Sequence, residues 1–174
     1  MNRIFLFQII KKSFQMINFR LMNFKIKSES LYLIITLMIL VFMILTFSLN
    51  FIKDTALILL INNFYHNLCH QIESRTFFID GKPMLICSRC TGIYSGSLTL
   101  FFILTMISSF RKILDKFNFR IVLLLSAPLL IDWSLNFIFK IETTNFVRFL
   151  TGFLISLIPV YFLNSLIMSV NKYD

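Results

Sequence analysis

Residues Leu31 to Ile52 form a run of 22 residues without a charged side chain. About 20 consecutive apolar residues are enough for a helix to cross the hydrocarbon core of a bilayer. In lipid, only helices and closed barrels can satisfy all of their backbone hydrogen bonds internally. The run therefore predicts a transmembrane helix, and it constrains the rest of the chain to fold around a membrane-embedded segment.

The remainder of the chain continues this pattern. Mean hydropathy is +0.82 and only 14% of residues are charged, whereas about a quarter are charged in a soluble domain. Further apolar runs lie at about 92–110, 119–139 and 146–168. With the span at 31–52, they predict an all-α integral membrane protein with four transmembrane helices in one membrane domain, 31–174.

A polar loop at 53–91 separates the first two predicted spans. Within it, apolar residues recur on one face of residues 55–68, which predicts a short helix at the membrane surface. Asp80-Gly81 stands between two apolar stretches and is a strong signal for a tight turn. The sequence therefore predicts a small hairpin over 76–86 that returns the chain toward the start of the loop.

Lysines and arginines predict the orientation. Residues 1–30 carry six of the 17, as a predicted basic amphipathic segment in the headgroup plane. The loop carries four, and residues 111–120 carry four more. The positive-inside rule places both termini in the cytoplasm and the loop outside the plasma membrane. Because the net charge of +9 falls on span flanks, the lipid bilayer and not nucleic acid is the expected partner.

The loop contains every cysteine and histidine of the chain: Cys69, Cys87, Cys90, His66 and His70. His66 and Cys69, like Cys87 and Cys90, are separated by two residues, which is a ligand spacing of zinc sites. Thiolate and imidazole together favour zinc, and iron less specifically. The sequence predicts a transition-metal site made of the three cysteines and one imidazole, from His70 or, alternatively, His66.

Two other interpretations use the same cysteines. Cys87 and Cys90 at the start of a helix, with Arg89 between them, are typical of a redox pair with lowered thiol pKa. The four-span layout is similar to quinone-linked disulfide oxidases, although those need a second cysteine pair and residues 140–148 contain none. In the other interpretation the cysteines are structural, in a non-catalytic assembly protein.

Polar residues near the predicted spans add to the candidate site. Asp132 lies inside the third span, where a carboxylate is expensive and indicates a functional site or an ion pair. Arg148 and Arg89 open the fourth and second spans, and either is a predicted partner of Asp132 beside the cysteines. Gly92 and Gly96 form a small-residue motif that predicts close approach of another helix, from span four or a second copy of the chain.

These residues form one long pattern: Cys69-His70-Gln71, Arg75, Cys87-Ser88-Arg89-Cys90-Thr91-Gly92-Ile93-Tyr94-Ser95-Gly96, Asp132 and Arg148-x-x-Thr151-Gly152. The pattern resembles an uncharacterised prokaryotic membrane protein family, domain of unknown function 2085, over about residues 60–160. The resemblance implies a multi-pass membrane protein and supplies no activity. It favours His70 over His66 as the relevant imidazole.

Overall fold

The computed structural model describes residues 28–48, 55–138, 140 and 142–171. The predicted basic segment at 1–30 lies almost entirely outside the described residues. The helices, in chain order, are α1 (Ser28–Ser48), α2 (Thr55–His66), α3 (Ser88–Met106), α4 (Ser108–Lys116), α5 (Phe119–Ile138), α6 (Asn145–Ile155) and α7 (Leu157–Asn171). A hairpin of β1 (Thr76–Ile79) and β2 (Lys82–Cys87) connects α2 to α3.

Three helical segments of the described residues are long and apolar enough to cross a membrane: Glu29–Phe47, Phe119–Ile138 and Asn145–Ser169. The last is α6 and α7 together, which meet at Ser156. Pro159 follows within one turn and has no N–H to donate to the preceding helix, so a break at this point is expected. The mostly helical membrane fold predicted from the sequence is thereby supported for three spans.

The second predicted span, 92–110, differs in the structure. α3 ends at Met106, and α4 continues at an angle of 117° to it, so a fourth crossing requires this bent pair. Arg111 holds the bend because its Nε donates to the Leu104 carbonyl at 2.5 Å and its Nη2 to the Thr105 carbonyl at 3.1 Å. A buried guanidinium thus satisfies carbonyls that the end of α3 would leave without partners.

Many large apolar side chains on the helices face outward. Leu124 on α5 is 72% exposed and Met38 on α1 is 69% exposed. A contiguous apolar exterior of this extent is unfavourable in water but is what a lipid-facing surface requires. The protein core lies between α1, α3 and α7, around Tyr32, Phe101 and Leu104.

α3 and α6 form the closest helix pair of the described residues, because glycine lies on both sides of the contact. A Cβ on Gly92 would meet the Phe149 carbonyl, and one on Gly152 would meet the Arg89 carbonyl. A Cβ on Gly96 would lie 2.9 Å from the Phe153 carbonyl oxygen. Of the two neighbours predicted for the Gly92–Gly96 face, the structure places the helix of the same chain there; a second copy stays a prediction.

The predicted hairpin is confirmed, with a two-residue turn. Asp80 and Gly81 have φ values of 50° and 75°, as a type I′ turn requires. Ile79 pairs with Lys82, and Thr76 pairs with Cys87 at the far end of the ladder. The hairpin therefore returns the chain to the point where α3 begins, with Cys87 as the N-cap residue of that helix.

The glycine contact yields a first prediction. Gly96→Leu should separate α3 from α6 and lower the free energy of unfolding by about 3 kcal/mol, since overpacking between rigid backbones cannot relax. Unfolding in detergent by heat or denaturant measures the loss. Thr99→Leu is the matched control, because Thr99 lies on the same helix and is exposed. Equal stability of the two variants would contradict the packing role of Gly96.

Candidate metal centre

Cys69 lies in a turn that follows α2. The α2 helix ends at His66, and the Cys69 N–H donates to the Tyr65 carbonyl at 2.8 Å. The next residues reverse direction, with Gln71 in the left-handed region at φ 50° and its side-chain amide donating to the Leu85 carbonyl at 3.0 Å. This turn buries Cys69 against Tyr65 and Ile86, leaving it 5% exposed.

Cys87 and Cys90 come from the junction of β2 and α3. Cys87 is the last residue of β2 and the N-cap of α3, and Cys90 lies in the first turn of the helix. Ser88 donates its hydroxyl to the Arg75 carbonyl at 2.7 Å, which ties this junction to the chain entering β1. The x₂ spacing therefore directs both thiols toward the turn that carries Cys69.

The three sulfur atoms of Cys69, Cys87 and Cys90 all lie within 4.8 Å of one another. All three cysteines are free thiols in this structure. Seventeen residues, His70 and the hairpin among them, separate Cys69 from Cys87, so this convergence is a product of the tertiary fold. Three soft ligands at this separation form a cluster that could hold a metal ion.

Hydrogen bonds around Cys69 stabilise its thiolate form. The backbone N–H of Cys87 donates to the Cys69 Sγ at 3.2 Å. Hydrogen bonds from the Cys87 and Cys90 thiols, and then backbone hydrogen bonds, lower the pKa of Cys69 well below its ordinary value, against the opposing effect of burial. Because the thiolate is the form that binds metal and attacks disulfides, the geometry suits either chemistry.

Neither imidazole belongs to the sulfur cluster. Among the described residues the cluster contains the three cysteines only, although a histidine was predicted as the fourth ligand. His66 is exposed at the end of α2. His70 is also exposed, but it lines the cavity that the thiols face. The turn buries Cys69 and leaves the adjacent His70 exposed.

A chain of polar side chains runs beside the cluster. Arg89 forms an ion pair with Asp132, with its Nε 2.9 Å from the carboxylate. Asn136 donates to the same carboxylate at 3.2 Å and accepts from Arg148 Nη2 at 3.2 Å. Of the two predicted partners of Asp132, Arg89 is therefore the direct one, and Arg148 is linked to Asp132 through an amide.

Asn145 extends this chain and was not identified from the sequence. It accepts a long hydrogen bond of 3.4 Å from Arg148 and donates to the Thr76 carbonyl at 3.1 Å. The start of α6 is thereby attached to β1, opposite Cys87. An asparagine at a helix start carries no sequence signal for this role, since it resembles any capping residue.

A cavity of about 300 Å³ opens over the cluster. Its polar lining combines thiols, one imidazole and guanidinium groups, from Cys69, Cys87, Cys90, His70, Arg75, Arg89 and Arg148. Arg75 belongs to the sequence pattern described above, but its position in a cavity wall follows only from the fold. The cluster is therefore accessible to a small molecule on one side.

Comparison with known proteins agrees with the membrane fold. A family model described as a predicted membrane protein (DUF2085) matches residues 69–162, more than half of the chain. The chain belongs to this family. The matched region begins at Cys69 and includes the other two cysteines and the whole polar chain as far as Arg148.

Two archaeal proteins are similar to this chain. An uncharacterised protein of Methanocaldococcus jannaschii is 35% identical over 102 residues, which are 57% of this chain and 63% of that protein. The chain thus spans less than two thirds of this relative. An uncharacterised protein of Methanothermobacter thermautotrophicus is 34% identical over 91 residues, 51% of this chain and 77% of that protein. No solved structure matches the chain.

The ion pair generates the second prediction. Asp132 is 2% and Arg89 22% exposed at the side chain, so Asp132→Asn should leave a largely buried guanidinium without its counter-charge. We expect the free energy of unfolding to fall by about 3 kcal/mol, measured in detergent. Asp80→Asn makes the same chemical change at an exposed turn and should be neutral. Unchanged unfolding and unchanged thiol reactivity in Asp132→Asn would remove any role of the pair at the site.

Proposed function

We propose that this membrane protein binds one transition metal ion, most favourably zinc, through Cys69, Cys87 and Cys90, in a structural or sensory site. The observation that carries the proposal is the mutual approach of three sulfur atoms to within 4.8 Å. Cysteines that served only as small apolar residues would not be expected to converge from a turn, a strand end and a helix start.

The donor set fits zinc. Sulfur ligands at ~2.3 Å from a tetrahedral zinc lie about 3.8 Å apart, and small side-chain rotations bring sulfurs within 4.8 Å to that separation. The N–H of Cys87 on the Cys69 sulfur stabilises thiolate in the manner of the outer hydrogen bonds around metal ligands. The three thiols alone leave one position of a tetrahedral ion open.

A fourth ligand would come from the cavity, because all three cysteines line it. His70 lines that cavity, and a change of its side-chain rotamer would be needed to bring a ring nitrogen to the metal. His66 is the less favourable imidazole, because it is exposed and absent from the cavity wall. An open position is typical of sites that exchange a ligand, which favours a sensory role over a closed structural one.

Thiol redox chemistry is the second candidate function. Cys87 caps α3 and Cys90 lies in its first turn, where a helix N-terminus favours a thiolate. Hydrogen bonds with Cys69 and Cys87, and then burial, instead raise the pKa of Cys90, so Cys87 is the thiol of this pair that the helix start favours for attack. Arg89 lies between them, and Cys69 is close enough to act as a third thiol. A membrane thiol-disulfide oxidoreductase would cycle Cys87 and Cys90 between dithiol and disulfide. An assembly protein with structural cysteines remains the third alternative.

We also propose the location of the site. The Lys and Arg distribution supports a plasma membrane protein with cytoplasmic termini and an extracytoplasmic Cys/His loop. In that orientation Arg111 and Lys112 at the α3–α4 bend lie on the cytoplasmic side, opposite the cysteines. The metal site would then be exposed to metal ions and thiol oxidants outside the cell.

Metal content is the decisive measurement. The detergent-purified protein should contain about one equivalent of zinc or iron, and Cys69→Ser, Cys87→Ser and Cys90→Ser should each lose it, because two thiols and water bind far more weakly. Elemental analysis by mass spectrometry gives the stoichiometry. His66→Ala is the matched control and should retain metal, whereas His70→Ala should weaken it if His70 is the fourth ligand.

Absence of metal from both the wild type and the variants would overturn the proposed function. Gel-shift alkylation of the wild type in oxidising and reducing buffers would then separate the remaining candidates. A Cys87–Cys90 disulfide that forms and opens reversibly would support redox chemistry. A disulfide that no buffer opens would support structural cysteines.

The orientation is tested separately. A reporter active only in the cytoplasm, inserted in residues 111–118, should be active, and one inserted at the Asp80-Gly81 turn should be inactive. The reverse pattern would place the cysteines in the reducing cytosol, where stable disulfides are rare. In that case the structural-disulfide alternative fails, while the metal site survives.

A further inference from the structure

The cavity over the cysteines carries more positive charge than the described acidic residues neutralise. Arg75, Arg89 and Arg148 all line it. Among the described residues, only Arg89 of the three forms an ion pair, with Asp132. Within the described part of the chain, no carboxylate forms an ion pair with Arg75 or Arg148. Asp132 and Glu142 are near enough to act on Arg148 electrostatically, but neither is within ion-pair distance of it. A pocket wall with two guanidinium groups that lack a direct ion-pair partner favours an anion.

Arg148 supplies the second observation. It is 4% exposed, and its Nη atoms donate to two amides, Asn136 at 3.2 Å and Asn145 at 3.4 Å. Its Nε has no hydrogen-bond partner among the described residues. A buried charged donor left without a partner is unfavourable, so the site is incomplete as the protein alone presents it.

Arg75 lines the same cavity as Arg148 and is close enough to act on it electrostatically. It ends the short 3₁₀ turn Glu73–Arg75 and is half-buried. Its guanidinium has no hydrogen bond to the described residues, while its carbonyl is fixed by the Ser88 hydroxyl at 2.7 Å. The backbone is therefore anchored beside Cys87, and the side chain stays available to a ligand.

We propose that the cavity binds the phosphate group of an anionic ligand between Arg75 and Arg148. Planar guanidinium forks match tetrahedral oxyanions with paired, charge-assisted hydrogen bonds. A cavity of about 300 Å³ exceeds the ~30 Å³ that one water occupies by enough to hold a phosphate and the atoms attached to it. The phosphate can be a free ion or the headgroup of a lipid, because Arg148 lies in the first turn of α6, at one end of an apolar segment long enough to cross a membrane.

The experiment uses the full chain purified in detergent. Equilibrium dialysis measures binding of inorganic phosphate, and native mass spectrometry measures retention of phosphatidylglycerol against phosphatidylcholine. Arg75→Gln should weaken binding of the anion about tenfold, because it removes one charge-assisted contact. Lys82→Gln is the control, since it removes the same charge from an exposed position of the same loop. Arg148→Lys keeps the charge but loses the fork, and should weaken binding as well.

The outcomes distinguish a free phosphate ion from a lipid headgroup, and they distinguish the anion site from the metal site. Phosphate binding that depends on Arg75 supports a free ion, and retention of phosphatidylglycerol alone that depends on Arg75 supports a headgroup. Equal binding of both probes by the wild type, Arg75→Gln and Lys82→Gln would overturn the proposal. Cys87→Ser should keep the anion while losing metal, because the arginines and not the thiols hold it. Each proposal can thus fail without the other.

Discussion

The contact between α3 and α6 brings two helix backbones together at positions that carry no side chain. Gly92 faces the Phe149 carbonyl, and Gly152 faces the Arg89 carbonyl. The first turn of α3, which carries Cys90, is therefore held against the segment of α6 that carries Arg148. Any larger residue at Gly92 or Gly152 would move the thiols and the guanidinium apart, so the site depends on this approach.

The polar chain at the same end of the helices explains how charged groups are tolerated there. Asp132 is buried within a predicted span, and an isolated carboxylate in that position would be very unfavourable. Arg89 neutralises it directly, while Asn136 links it to Arg148. Three helices and the hairpin are thereby joined by hydrogen bonds whose strength increases as water is excluded. The start of α3, which carries Cys87 and Cys90, is therefore fixed by hydrogen bonds of its Ser88 and Arg89 to neighbouring elements.

Several features follow from sequence because they depend on local chemistry. Apolar length predicts the spans, and Asp80-Gly81 predicts a turn whose positive φ values the structure contains. The break after Met106 could not be predicted, because in the sequence Arg111 is only a charged residue at the end of a predicted span. Its role follows from its hydrogen bonds to the Leu104 and Thr105 carbonyls. The absence of His70 from the sulfur cluster likewise depends on the tertiary fold, which buries Cys69 and leaves His70 exposed. Spacing alone does not specify which of two adjacent residues is buried.

The relation between the thiols and the arginines favours an exchangeable site over a closed one. Three thiolates on a divalent ion carry a net negative charge, and a closed Cys₄ site would carry more. Guanidinium groups around the cavity reduce the cost of that charge, yet Arg148 Nε stays without a partner among the described residues. A purely structural metal would need neither the cavity nor an incomplete guanidinium. In the proposed arrangement, an open coordination position beside the anion pocket would allow the state of the metal or thiols and the occupancy of the pocket to influence each other. Because such coupling is reciprocal, an anion that binds more tightly to the metal-loaded form must also strengthen metal binding by the same factor.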